Sequence, residues 1–364
     1  KPMIKEEKST IDSLPVLPES SVRLLEELSN AVGVSGNENE IRSIIRREVS
    51  SVADNLTTDT IGNLIAVKHA KNDHALRVMV AAHMDEVGFM IVDKESDGIF
   101  KFQVVGGIDE RALAGKAVQV GKKHAPGVIG ACPVHLSTPA EREVILKTDN
   151  LRIDTGPGSK DIEVGDYATF ATKFKRMGGS FCGKAIDNRI GVATLIELLK
   201  NAPDSIELIA AFTVQEEVGL RGAEVATYNI NPDFAFIIDC TPANDQPAWD
   251  HSENTLYRTK LDQGPAIYTN DSRTLYDHRL IRYLSDLGDR YGIRYQYRQP
   301  ASGGTDAGAI HTSRSGIPTI SLSVPGRYTH TAASIIRKAD WEEHYRLMTV
   351  ALRHIDADIL KENR

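Results

Sequence analysis

Four apolar runs in this 364-residue chain each lead into an acid or a histidine, and that recurrence limits the fold more than any other feature. Leu76 to Ala82 is nearly all apolar and delivers His83, inside Ala81-Ala82-His83-Met84-Asp85-Glu86. Ile206 to Val214 runs into Gln215-Glu216-Glu217-Val218-Gly219, and Phe234 to Ile238 closes at Asp239-Cys240. Thr319 to Val324 precedes Arg327-Tyr328-Thr329-His330. Strands apolar on both faces belong in a sheet covered on both sides. Polar clusters at C-terminal strand ends are where an open α/β sheet presents its site.

Between two of these runs the texture changes. Residues 89–177 are rich in Val, Ile and Gly in short alternating pieces, such as Gly98-Ile99-Phe100-Lys101-Phe102-Gln103-Val104-Val105, with a helical period only weakly present near Thr148 to Ile153. This reads as a small β domain inserted into an α/β domain made of residues 18–88 and 178–364. Amphipathic helices are expected over Glu38 to Val49, Asn188 to Lys200 and Asp277 to Tyr291, with a closing helix over Trp341 to Leu360. Ser20-Ser21 is expected to cap the first helix. Residues 1–17 read as a loose polar arm without the apolar centre of a secretory signal.

Composition excludes some partners. A net charge of −7 argues against a nucleic-acid footprint. No apolar stretch reaches the roughly 18 residues needed to cross a bilayer, so no membrane partner is expected. The three cysteines, Cys132, Cys182 and Cys240, are an odd number without a close pair. They fit a reduced, cytoplasmic setting better than a disulfide scaffold.

The chemistry rests on a set of residues. In Cys182-Gly183-Lys184-Ala185-Ile186-Asp187-Asn188-Arg189-Ile190-Gly191 we read Asp187 as a carboxylate that bridges two metal ions, one oxygen for each. His83 and Asp85 stand i, i+2, so on an extended backbone they point the same way, and Asp85 is placed to orient a metal-bound His83. Adjacent Glu216 and Glu217, on an extended backbone, face opposite ways: one as ligand, one as general base. Asp239 ends a buried run, where a bare carboxylate is costly. Each of these has a bland reading as a surface acid, a turn former or an ordinary loop histidine, and no single one decides. Together they form a mixed nitrogen and oxygen donor set suited to two ions of Zn²⁺, Co²⁺ or Mn²⁺, not to a thiolate-rich structural zinc. The assignment is His83 and Asp239 to one ion, Glu217 and His330 to the other, and Asp187 to both.

At these residues the chain resembles the M42 metallo-aminopeptidases, the glutamyl and tetrahedral aminopeptidase group. The matching stretches are Ala82-His83-Met84-Asp85-Glu86-Val87-Gly88, Lys184 to Arg189, Val214-Gln215-Glu216-Glu217-Val218-Gly219-Leu220-Arg221-Gly222-Ala223, Gly303-Gly304-Thr305-Asp306-Ala307-Gly308 and Arg327 to His330. They follow the family order from about residue 20 to the end. The resemblance implies a mixed-sheet, three-layer dinuclear-metal exopeptidase fold with an inserted β domain. It implies the ligand set above, with Glu216 as general base and Asp85 as orienter of His83. It further implies peptide substrates cleaved at the N-terminus, dimers formed through the β insert, and a hollow tetrahedral dodecamer. Thr331-Ala332-Ala333-Ser334 departs from the family pattern, which leaves the His330 ligand intact but not the inferred contacts beside it. The rivals are a related dinuclear amidohydrolase (deacylase or carboxypeptidase), a metal-independent glycosidase using paired acids, and a non-catalytic metal-binding assembly protein.

Overall fold

A computed structural model describes residues 14–361 apart from residues 73, 251 and 301. Most of the expected N-terminal arm, residues 1–13, lies outside the described residues. The chain opens with helices α1 (Glu19–Asn30) and α2 (Asn39–Val49), then strands β1 (Asn55–Thr58), β2 (Leu64–Lys68) and β3 (Leu76–His83). A run of short strands follows: β4 (Gly88–Ser96), β5 (Ile99–Val105), β6 (Ala117–Val120), β7 (Ala125–Gly130), a single helical turn α3 (Pro139–Arg142), β8 (Arg152–Asp154) and β9 (Tyr167–Phe170). Then come β10 (Lys175–Met177), β11 (Ser180–Gly183), α4 (Ile186–Lys200), β12 (Ile206–Thr213), α5 (Arg221–Ile230) and β13 (Phe234–Pro242). The chain closes with β14 (Ala266–Ile267), α6 (His278–Tyr291), β15 (Gln296–Tyr297), α7 (Ala307–Ile310), β16 (Thr319–Arg327), β17 (Ser334–Arg337) and α8 (Lys338–His354).

The large strands form a mixed sheet in the order β1-β2-β12-β3-β13-β16-β17-β11-β10. Its four central neighbours, β12, β3, β13 and β16, run parallel. Their side chains are buried nearly throughout, as expected for a sheet covered by helices on both faces. Helix α4 lies against β3 and β13 with α1, α2 and α8 around it, while α5 and α7 pack together over β12 and β16. The expectation of an amphipathic α4 needs correction. Residues Asn188 to Ile196 are all buried, because the sheet and other helices enclose this stretch, and only the last turn, at Lys200, reaches solvent.

Of the remaining strands, β14 pairs with β16 and β15 with β14 at the side of this sheet, and the other six close into a barrel, β4-β5-β8-β7-β6-β9. Closure removes the open edges that short strands would otherwise expose. The interior is aromatic: Phe89 meets Phe102 and Phe170 edge to face, with centroids 5.2 and 5.3 Å apart. After β9 the chain leaves the barrel, and β10 pairs with β11 at the edge of the large sheet.

Smaller expectations differ. The first helix is preceded by Pro18 and has no side-chain cap, so Ser20-Ser21 lie inside it. The closing helix stops at His354 and continues only as a short 3-10 turn. The weak helical signal near Thr148 is likewise a single 3-10 turn, Thr148–Asn150.

Candidate metal centre

The parallel order of the central strands decides what meets what. His83 ends β3 and sits in register with Thr213, the last residue of β12. Glu216 and Glu217 therefore follow beside it, on the other flank Asp239 lies within β13, past the stretch paired with β3, and beyond that the loop after β16 carries His330. Asp187 comes from the first turn of α4, where the backbone at Asp187 and Asn188 is not yet helical. The Asn188 amide fixes this turn by donating to the Ile238 carbonyl (2.9 Å) and accepting from the Gly191 N–H (3.0 Å). A Cβ at position 191 would stand 2.3 Å from that amide oxygen, so only glycine fits.

All five expected ligands converge. His83 Nε2 lies 3.4 Å from Asp187 Oδ1 and 3.5 Å from Asp239 Oδ1. His330 Nε2 lies 3.4 Å from Asp187 Oδ2 and 3.4 Å from Glu217 Oε1. The two oxygens of Asp187 thus serve two separate imidazole–carboxylate pairs, and each trio keeps its donor atoms within 4.8 Å of one another. The far ring nitrogens are held from behind. His330 Nδ1 faces the Gly107 carbonyl at 2.8 Å, and His83 Nδ1 faces the Asp85 carbonyl oxygen at 3.2 Å and its carboxylate at 3.5 Å. A proton on each Nδ1 leaves Nε2 with its lone pair toward the shared centre.

Electrostatics make the same demand. Six carboxylates, from Asp85, Asp187, Asp239, Glu216, Glu217 and Asp306, crowd around two histidines. Burial pushes Glu217 up to about 8, Asp306 up to about 7, and Glu216 well above the usual carboxylate range. Asp239 rises for the same reason. Burial resists charge on Asp187 too, but His330 and His83 hold it well below the ordinary carboxylate value. Burial likewise opposes charge on His83 and His330; the carboxylates around them nonetheless push His83 well above the histidine range and His330 up to about 10. Acids this close share protons unless cations stand between them. The donors, two imidazoles and carboxylate oxygens without thiolate, fit a pair of divalent ions.

Glu216 and Glu217 do not lie on an extended backbone with opposite faces, as expected. They sit in a turn that begins at Gln215, which adopts a left-handed backbone (φ 55°). Asp85 builds that turn: its two carboxylate oxygens accept the N–H groups of Glu216 (3.0 Å) and Glu217 (3.1 Å) and the Ser35 hydroxyl (2.6 Å). Gly222 closes it, packed so tightly that a Cβ would meet Val214 backbone oxygen at 2.3 Å.

Sequence reasoning gave no role to several residues here. Glu86 is buried and accepts from Lys184 Nζ (2.8 Å), Arg189 (3.2 Å), the Gly33 N–H (3.0 Å) and Thr169 of the barrel (2.8 Å). Asp306 takes the Thr213 hydroxyl on one oxygen and leaves the other buried without a partner. Both acids fall inside the motifs named above, so their positions were visible but their partners were not. Gly107 acts through its carbonyl, which no side-chain pattern reveals. Beside the donors opens a cavity of about 410 Å³, lined also by Leu220, Pro242, Arg258, Tyr268, Arg273 and Arg298.

Comparisons with known proteins converge on one group. A family model described as M42 glutamyl aminopeptidase matches residues 62–347. A glutamyl aminopeptidase of Lactococcus lactis is 29% identical, covering 92% of this chain and 96% of its own. A lysyl aminopeptidase of Pyrococcus furiosus is 29% identical, with 91% and 96% covered. Among solved structures, the TET1 peptidase of Pyrococcus horikoshii, which can assemble into a tetrahedron or a large octahedral shell, superposes with a TM-score of 0.81. It is 33% identical, and the match covers 92% of this chain and 100% of that one.

Proposed function

The chain belongs to the M42 glutamyl aminopeptidase family, and on that premise we propose that it removes N-terminal residues from short peptides at a pair of divalent cations. That it is a peptide hydrolase follows from the family; the metal pair, the residue roles and the assembly are our reading. The observation that carries it is the division of the Asp187 carboxylate between two imidazole–carboxylate pairs, each at 3.4 Å.

We assign His83 and Asp239 to one ion, Glu217 and His330 to the other, and Asp187 to both, with Zn²⁺, Co²⁺ or Mn²⁺ as the suitable metals. Bound there, the ions supply Lewis acidity for the scissile carbonyl and lower the pKa of an attacking water. Glu216 lines the same cavity and its carboxylate accepts no hydrogen bond from the described residues. It is free to take the proton of that water and return it to the departing amine. Asp85 positions this base, because its own carboxylate fixes the Glu216 and Glu217 N–H groups. The acids beside the cavity favour a positively charged α-amino group, which restricts cleavage to the first residue.

The inserted domain, expected over residues 89–177 and closed as the barrel β4 to β9, we take to mediate dimers, and those dimers to build a tetrahedral dodecamer. Its segment from Val134 to Ile145 exposes Val134, Leu136, Val144 and Ile145 to solvent. Three free cysteines suit a reduced, cytoplasmic setting, and among the described residues no helix is long and apolar enough to cross a membrane. Relatives named for glutamate and for lysine leave the preferred first residue open at the family level.

The test is hydrolysis of aminoacyl anilides by stripped protein reloaded with each metal, compared with the Glu216→Gln variant. The variant is expected to keep its metal content and lose at least ~100-fold in kcat. Near-normal turnover with full metal would remove Glu216 from the role of base. Activity on N-acylated peptides in preference to free amines would favour a deacylase instead.

A further inference from the structure

The break between α1 and α2 brings one more buried acid to the back of the site. Glu38 stands at the N-cap position of α2 and is only 3% exposed, yet its side chain makes no capping bond to that helix. It turns the other way. Oε1 accepts the Gly36 N–H (2.7 Å) and, across 177 residues of sequence, the Gln215 N–H (3.3 Å). Arg42, one turn along α2, reaches the other oxygen only at 4.0 Å and donates instead to the Gly62 carbonyl at 2.7 Å. A carboxylate this deep is costly unless donors meet it, and the donors that meet Glu38 are backbone N–H groups.

Gln215 is the residue that needs holding. Its left-handed backbone (φ 55°) is one that a residue with a side chain keeps only where its surroundings impose it. The N–H groups of Gln215, Glu216 and Glu217 follow one another, and each ends on a buried carboxylate. The first meets Glu38, and the next two meet Asp85 at 3.0 and 3.1 Å. Successive N–H groups at such a residue form a concavity that draws an anion. Here two acids from different segments fill it from behind. Asp85 also faces His83, so it serves both proposed ions. Among the described residues the side-chain hydrogen bonds of Glu38 reach only Gly36 and this turn.

We propose that Glu38 is a positioning residue: by fixing the Gln215 N–H it sets the turn that presents Glu216 and Glu217, and so acts on the base and on one of the two ions. This role rests on the aminopeptidase reading above and extends it to a side chain that is neither ligand nor base.

Three variants separate acceptor, charge and bulk. Glu38→Gln keeps the oxygen and removes the charge, Glu38→Asp keeps the charge and withdraws the oxygen by one methylene, and Glu38→Ala removes both. Stripped protein is titrated with Zn²⁺ against a chelator. In Glu38→Ala and Glu38→Asp one ion, that of Glu217 and His330, is expected to bind ~10- to 100-fold more weakly while the other keeps its affinity. At saturating Zn²⁺, kcat on an aminoacyl anilide is expected to fall at least ~10-fold with KM within about 3-fold of wild type. Glu38→Gln is expected to recover most of both losses. A purely structural role would lower the folded fraction and leave the ratio of the two affinities unchanged, and that result overturns the proposal. So does a Glu38→Gln variant as impaired as Glu38→Asp. Should Glu38→Ala not fold, the Gln and Asp variants carry the comparison.

Amide exchange in metal-free protein, followed by mass spectrometry over residues 214–219, reads the turn without catalysis. Exchange is expected at least ~10-fold faster in Glu38→Asp and Glu38→Ala than in wild type and Glu38→Gln. Equal rates in all of them would rule the role out. Should wild type bind fewer than two ions or hydrolyse no anilide, the metal or catalytic reading fails separately, and the exchange rates still decide what Glu38 does.

Discussion

A single carboxylate, Asp85, shows how much one side chain can organise. It backs His83, and it also holds the N–H groups of Glu216 and Glu217 and the Ser35 hydroxyl. Removing it leaves two backbone donors and one hydroxyl unmatched within a buried site. Asp85→Ala is expected to weaken metal affinity ~10- to 100-fold, measured by competition with a chelator, and to lower kcat as Glu216 loses its support. Unchanged affinity would show that the Glu216–Glu217 turn holds itself. At this scale the sequence was informative about side chains that carry charge. The i, i+2 spacing of His83 and Asp85 pointed to their contact, and the five expected ligands do lie together. It was uninformative about backbone partners: nothing marks Gly107 as the acceptor behind His330. It also misjudged Glu216 and Glu217, because the left-handed residue that starts their turn is Gln215 and not a glycine.

Elements read well where burial is uniform and poorly where it is not local. The strands β3, β12, β13 and β16 were legible because apolar runs of that length, ending in polar clusters, have few other uses. Helix α4 was assigned its place but not its surroundings, since its wrapping depends on α1, α2 and α8, which are distant in sequence. Helix α8 carries a second consequence of burial. His344 lies wholly inside, with Nε2 facing the Leu322 carbonyl of β16 at 3.0 Å and Nδ1 without a partner. Burial pulls its imidazole down to about 4 from 6.5. Between those values the unfolded chain binds more protons than the folded one, so stability falls as pH drops from 6.5 toward 4 and is whole above 6.5. His344→Gln keeps an N–H for Leu322 and removes the titration. The loss of unfolding free energy between pH 7 and pH 4.5 should be smaller in the variant by about 2–3 kcal/mol, read by denaturant titration at each pH. Equal losses would mean that other groups govern acid sensitivity.

For the whole molecule, the barrel and the sheet are joined through charge as well as chain. Glu86 lies between Lys184, Arg189, Gly33 and Thr169, so the first helices, α4 and strand β9 meet on one buried acid. The outer side of the barrel is different. Leu136 is 70% exposed and Ile145 53% exposed, on a segment with little regular structure. Large apolar side chains left exposed within one short segment are candidates for cover by another copy. Leu136→Asp with Ile145→Asp is expected to shift the protein to smaller species in light scattering after gel filtration, with the circular dichroism spectrum retained. An unchanged mass would place the subunit contact elsewhere. That the insert was β-rich could be read from its alternating short pieces; that it closes on itself could not, because closure depends on which strand finds which.

The Gly107 carbonyl, 2.8 Å from His330, has a practical result for protein engineers. The segment between β3 and β10 is not an interchangeable module, although its strands close among themselves. A transplanted insert that folds well but brings no oxygen to that spot would leave His330 free to rotate or to carry its proton on the wrong nitrogen. Chimeras between relatives should therefore be cut so that the Gly106-Gly107 loop stays with its own histidine.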